Sequence, residues 1–237
     1  MPPGRTKIAD KPIRAVLAEF LVEQSERLKS DTFAKYRSIV ELLQAHIDGY
    51  AYGSLDQVEK ELWDELFNAG GAEHREFCEI FGPEKIPENI GMFLGDFMPR
   101  KVACGKELLR AAGTVVKKLG KWLADKSYID SEIAKDMADS GARASRDLPA
   151  AEGLSEMLRA YASKLPAPAG EYIEGYFYVT VIGSESLGLE DMDGGESMIV
   201  PVPRQAAKVC QPGWTISGSV CESADGWRLA EVWNVYI

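Results

Sequence analysis

The residues of this chain best suited to chemistry are cations. Lys106, Arg110, Lys117 and Lys121 fall within about 60° of one another on a wheel of about 100° per residue, with Lys118 about 120° away. Leu108, Leu109, Ala112, Val115, Val116, Leu119, Trp122 and Leu123 take the opposite arc. Arg100 and Lys101 stand at its start, and only Glu107 lies near the stripe. Such a stripe neutralises phosphates and binds them in a salt-dependent way. It is equally a solvated helix face, or a patch that docks on acidic parts of the same chain. Both readings stand at this stage.

Charge is unevenly placed. The net charge is −10, yet residues 100–130 carry 8 basic and 3 acidic side chains, net +5. Residues 1–99 and 165–237 each carry net −7. One basic segment in an acidic protein is informative about partners.

Other chemistry is sparser. His74 and Cys78, four apart, share a helix face and make half a zinc site, but the other half is missing. Glu59, Glu61, Asp64 and Glu65 form an acidic run on which nothing polar converges, so it reads as a solvated face. Asp191-x-Asp193-Gly194 opens like a calcium loop, but Val202 stands where a bidentate carboxylate is needed, so it reads as a turn. Tyr172, Tyr176, Phe177, Tyr178, Trp214, Trp227, Trp233 and Tyr236 could stack bases on a sheet face. The acidity of their segment repels phosphates and favours a core or a protein-binding face. No glycine-rich phosphate loop, nucleophile elbow or Cys/His nucleophile pair occurs. The expectation is a protein with no catalytic residues, no cofactor and no metal.

The elements that would position these residues follow from periodicity. Apolar residues recur at helical spacing over 12–28 and again from a Ser30-Asp31 cap to Gly49. Ser54-x-x-Gln57 is a capping-box pattern opening a third helix that ends at Asn68–Gly71. Short helices are predicted over 73–81 and 86–97, the latter stopping before Pro99, then a long one over 100–126 and a weaker one over 131–140. Residues 141–153 hold few large apolar residues and read as a linker, with one more helix possible over 154–165. After Pro166-Ala167-Pro168 the texture changes. Strands are predicted over 171–182, 197–202, 213–222 and 227–236, with Pro201 and Pro203 placing the second at an edge. The chain therefore divides into a helical domain over 1–140, a linker over 141–170 and a small β-domain over 171–237. The fold class is α+β multidomain: an all-α bundle followed by a small antiparallel barrel of OB or SH3-like type.

The chain has 237 residues, 46% of them hydrophobic and 27% charged, which suits a folded core. The four cysteines make no C-x-x-C pair, no apolar run is long enough for a membrane span, and the acidic first helix is no signal peptide. A cytoplasmic location is expected.

Residues 12–130 resemble the SAM-like core-binding domain of tyrosine recombinases, the phage-type integrases. Leu28-Lys29-Ser30-Asp31-Thr32-Phe33-Ala34-Lys35-Tyr36, followed by Leu42 and Leu43, is similar to that family's helix running from a Ser/Thr pair to a Tyr. Ile90–Leu94, then 108–129 with Lys121-Trp122-Leu123, looks like its late, DNA-facing helix. The stretch 50–85 is longer than the family needs, and the catalytic domain is absent. His46 and His74 are followed at +3 by Gly49 and Phe77, so no His-x-x-Arg element exists. The resemblance implies the DNA-gripping half of the family without strand cleavage. It places double-stranded DNA against Lys106, Arg110, Lys117 and Lys121, joined by Lys29, Lys35 and Arg37 of the second helix, and leaves the acidic β-domain for another protein. The alternative is an interaction or scaffold module that keeps the helical fold without binding DNA.

Overall fold

The computed structural model describes residues 7–101, 105–165 and 172–237. The chain divides into two compact units, one made of residues 1–97 and 111–143, the other of 98–110 and 144–237. Among the described residues no helix is long and apolar enough to cross a membrane.

The first unit is helical. Helix α1 (Ile13–Arg27) buries Ile13, Val16, Leu17, Phe20 and Gln24 along one face. Helix α2 (Ser30–Tyr50) buries Tyr36, Ile39, Val40, Leu43, His46 and Ile47, and Asp31 in its first turn complements the helix dipole. Each large aliphatic or aromatic side chain fully withdrawn from water contributes about 1.5–3 kcal/mol, so these two faces alone anchor the core. Helix α3 (Gln57–Phe67) is capped by Asp56, two residues after the expected cap Ser54. Asp56 accepts a hydrogen bond from Glu59 N at 2.9 Å, and Glu59 Oε2 accepts one from Asp56 N at 3.0 Å. Ser54 instead ends a 3-10 turn and donates to the Ala51 carbonyl at 2.9 Å. The carboxylate pair satisfies both orphan amides, which Ser54 and Gln57 do not.

The helix expected over 73–81 shrinks to α4 (Phe77–Ile80). Helix α5 (Ile86–Met92) runs on through a π turn at Phe93–Phe97, and the helical path does not stop before Pro99. Pro99 is the second residue of α6 (Met98–Lys101), directly after the π turn.

Helices α7 (Lys106–Asp125) and α8 (Ser131–Ala162) follow. Residues 141–153, read from sequence as a linker, lie inside α8. Their small residues are the reason for both the reading and the structure. A Cβ on Gly141 would stand 2.5 Å from the Gly113 carbonyl oxygen and 2.6 Å from Lys117 N. A Cβ on Gly120 would stand 2.9 Å from Met137 Cβ. The two backbones meet where side chains are missing.

The second unit holds one five-stranded antiparallel sheet: β1 (Tyr172–Ile182), β2 (Ser186–Asp191), β3 (Ser197–Pro201), β4 (Thr215–Ser223) and β5 (Gly226–Tyr236), in the order β3-β2-β1-β4-β5. Strand β2 and helix α9 (Arg204–Val209) were not foreseen. The inner face, with Phe177, Val179, Leu187, Leu189, Met198, Val200, Ile216, Val220, Leu229, Val232 and Val235, packs with Ala151, Leu154, Leu158 and Ala162 of α8. The sheet curls so that edges β3 and β5 come within 8 Å between Cα atoms, but no ladder joins them. The expected barrel is therefore an open sheet. Its edge strand β3 has five residues against eleven in β5, and Pro201 at its end has no amide to donate.

A bulge in β5 is held from α8. Arg159 Nη2 donates to the Trp233 carbonyl at 2.7 Å and Ser155 Oγ donates to the same oxygen at 3.2 Å. On the opposite strand Gly218 permits the bulge, since a Cβ there would stand 2.2 Å from the Glu231 carbonyl oxygen.

Candidate nucleic-acid interface

Helix α7 is amphipathic as its sequence demands. Leu109, Ala112, Val115, Val116, Leu119, Trp122 and Leu123 are buried, while Lys117, Lys118 and Lys121 are exposed. The close approach of α8 at Gly113 and Lys117 N runs along one side of the stripe, next to Lys117, and leaves the three lysine side chains exposed. Lys117 and Lys121 are four apart and Lys118 and Lys121 three apart, so their Cβ atoms lie about 5–6 Å from each other. Like charges at that spacing cost a helix about 0.2–0.5 kcal/mol per pair. Nothing in the stability of α7 asks for them. Among the described residues none of the three has an ion pair.

The other predicted cations are placed differently. Lys106 and Arg110 belong to the second unit. Lys106 Nζ lies 2.5 Å from Glu156 Oε2, both side chains being about half exposed. Such a surface pair is worth at most about 1 kcal/mol, so it weakens the claim of Lys106 on an anion without abolishing it. Arg110 and Lys35 also have partners. On α2, Lys29 is exposed ahead of the first turn, and Arg37 Nε faces Glu41 at 3.9 Å. Helix α2 packs against α1 and α4. The part of the stripe that stands together without an ion pair among the described residues is Lys117 and Lys121. Lys118 joins them, which the wheel had set to one side.

Beyond its last lysine the helix is tied down. Trp122 Nε1 donates to Glu23 Oε2 at 2.8 Å, and Lys126 Nζ lies 2.5 Å from Glu23 Oε1 and 3.6 Å from Glu19. Tyr128 Oη donates to Glu19 at 3.0 Å, and Lys11 reaches both Glu19 and Tyr128. Hydrogen bonds from Lys126 first and Trp122 second hold the Glu23 carboxyl below the usual range. Phe20 meets the Trp122 ring edge-on at 5.4 Å and stacks on Tyr36 at 6.3 Å. This network sequesters Lys126, which leaves the three upstream lysines as the free positive charge of the helix.

His74 and Cys78 do not converge on a common point. A ring nitrogen of His74 lies 2.6 Å from the Phe67 carbonyl and the other 3.2 Å from Glu76. The Cys78 thiol is buried, faces the Gln44 carbonyl, and burial pushes its pKa far up. No group of three metal-ligating side chains occurs among the described residues. In the acidic run, Glu59 is spent on its cap and on Lys85 at 2.9 Å. Asp191 closes its own turn, accepting from Gly194 N at 2.9 Å and Asp193 N at 3.2 Å. The aromatic residues split: Phe177, Trp214 and Tyr236 are buried, while Tyr172, Tyr176, Tyr178 and Trp233 are exposed.

Nothing in the sequence signalled His46. It is 1% exposed, and neither ring nitrogen has a hydrogen-bond partner. Tyr50, Phe93 and Phe97 surround it with ring centroids at 5.4, 5.7 and 5.1 Å. Burial pushes its pKa down, opposed by the Asn89 backbone, which is outside hydrogen-bond geometry, and by Asp96.

No family model matches the chain, and no curated protein matches it.

Proposed function

We propose that this protein is a non-enzymatic, DNA-associated protein that grips the phosphate backbone through its helical unit and meets a partner protein through its acidic β-sheet unit. The observation that carries the reading is the cluster of Lys117, Lys118 and Lys121, exposed and without ion pairs among the described residues. The resemblance of residues 12–130 to recombinase core-binding domains supports it. So does the concentration of net +5 in residues 100–130 of a chain at −10. A core-binding-like unit with no cleavage residues positions DNA and leaves its chemistry untouched, and a cytoplasmic location fits that role.

The test is fluorescence anisotropy with a labelled duplex of about 30 base pairs. Three phosphate contacts give a log–log salt slope of about −2.7, so affinity falls roughly 40-fold between about 50 and 200 mM salt. Lys117→Ala/Lys118→Ala/Lys121→Ala removes that slope. Absence of binding to duplex or single strand at low salt defeats the reading. It would leave the second one, a scaffold module, which the pairing of Lys106 with Glu156 and the overall negative charge favour.

A further inference from the structure

The outer face of the sheet is not dressed as an ordinary solvent face. Along β1, Tyr172, Tyr176 and Tyr178 are 51%, 44% and 43% exposed, and exposed Glu174 stands between the first two. Residues i and i+2 on a strand share a face and lie about 6.6 Å apart, so this is one row about 20 Å long. Glu190 of β2 is paired with Tyr178, and like Glu174 it is exposed and has no ion pair among the described residues. The row then meets an apolar dimple. The bulge at Val179/Val181 turns Val181 out, and Val181, Gly188 and Ile199 stand side by side across β1, β2 and β3. Val181 is 63% and Ile199 71% exposed. Gly188 supplies the floor, since a Cβ there would press on Thr180 Oγ1 and Val181 Cβ at 3.1 Å. The dimple encloses about 360 Å³.

Contiguous exposed aromatic and aliphatic surface marks an interaction site. The charge around it selects the partner. Residues 165–237 hold ten acids against three bases, which repels a nucleic-acid backbone despite the stacking surface. Tyrosine faces and unpaired carboxylates together attract cations, and an arginine over a tyrosine ring gains both attractions. We propose that this face receives an extended, arginine- or lysine-bearing peptide segment of a partner protein. Alternate side chains lie along Tyr172, Glu174, Tyr176 and Tyr178, the basic ones over the rings and beside Glu174 and Glu190, and an aliphatic side chain then enters the Val181–Gly188–Ile199 dimple. This deepens, and rests on, the protein-contact role proposed above for the sheet unit.

The probe is a labelled nonapeptide, Arg-Ser-Arg-Ser-Arg-Ser-Arg-Ser-Leu, whose alternate residues face one side when extended and match Tyr172, Glu174, Tyr176, Tyr178 and the dimple in turn. Controls are the versions with Glu or Gln in place of Arg, and a 20-mer of thymidylate. Each is titrated into the full chain by anisotropy. Binding of the arginine peptide alone is expected. It weakens about tenfold in Tyr176→Ser/Tyr178→Ser, weakens and loses salt dependence in Glu174→Gln/Glu190→Gln, and is unchanged in the triple lysine variant of α7. Equal binding of the acidic or neutral peptide, preference for thymidylate, indifference to the face variants, or no binding of the arginine peptide at millimolar concentration overturns the proposal. Duplex binding is read separately, so failure here is distinct from failure of the DNA reading.

Discussion

Replacing His46 with Phe should stabilise this protein, although the residue lies in the middle of a core. A neutral imidazole carries one donor and one acceptor, and here both are buried without a partner. An unsatisfied buried polar group costs about 1–3 kcal/mol. Phenylalanine removes both groups and keeps the ring contacts with Tyr50, Phe93 and Phe97. Some of the gain is lost to the bulkier ring in a packed site. A net gain of about 1–3 kcal/mol raises Tm by about 2–12 °C for a chain of this size. The pH dependence carries an independent signature. The folded-state pKa of His46 lies below its unfolded value, so its contribution is complete above about pH 6.5 and falls as pH drops from there. His74 works in the opposite sense: a bond to Glu76 and then the Phe67 carbonyl raise its pKa, so its contribution is present at low pH and lost as pH rises. Since His74 is unchanged in the variant, the difference in Tm between His46→Phe and wild type isolates His46. Measured by circular dichroism from pH 8 to pH 5, that difference should widen on acidification. A variant less stable than wild type at pH 8, or a difference that stays constant with pH, refutes the reasoning.

Further substitutions probe the packing of α7 on α8 and the cap of α3. Gly141→Ala would normally stabilise a helix by about 1 kcal/mol, but here the new methyl meets backbone atoms at 2.5 and 2.6 Å, so urea unfolding should show a net loss of about 1–3 kcal/mol. A gain in stability would show that α7 and α8 do not meet there. Asp56→Ala should cost about 1 kcal/mol in the same assay and Asp56→Asn much less, whereas Ser54→Ala should cost less than Asp56→Ala if the cap lies where the structure puts it.

Periodicity made α1, α2 and α7 readable because their buried faces are large and recur at three and four residues. It failed in α8 for a physical reason. Gly141, Ala144, Leu148, Ala151, Leu154 and Leu158 keep the helical spacing and are buried or face close-packed backbone, but half of them are too small to register as apolar. Strand β2 escaped because Leu187 and Leu189 are its only large apolar residues, set among Ser186, Gly188 and Glu190. The hairpin of β4 and β5 was legible through Asp225-Gly226, where Gly226 takes φ of 106°. For the candidate interface, the wheel found the stripe but not which cations are engaged. The pairing of Lys106 with Glu156, 50 residues away, lies beyond any local pattern. The orphaned imidazole of His46 was likewise invisible, since nothing in a sequence tells a satisfied histidine from an unsatisfied one.

The near-meeting of β3 and β5 bears on how this protein behaves when crowded with its own copies. An open sheet normally offers two rows of unpaired amides and carbonyls as templates for polymerisation. Inserting a foreign strand needs about 4.8 Å on either side of it. Where β3 and β5 run within 8 Å of each other that room does not exist. Along that stretch the sheet guards its edges against fibril growth without closing a barrel.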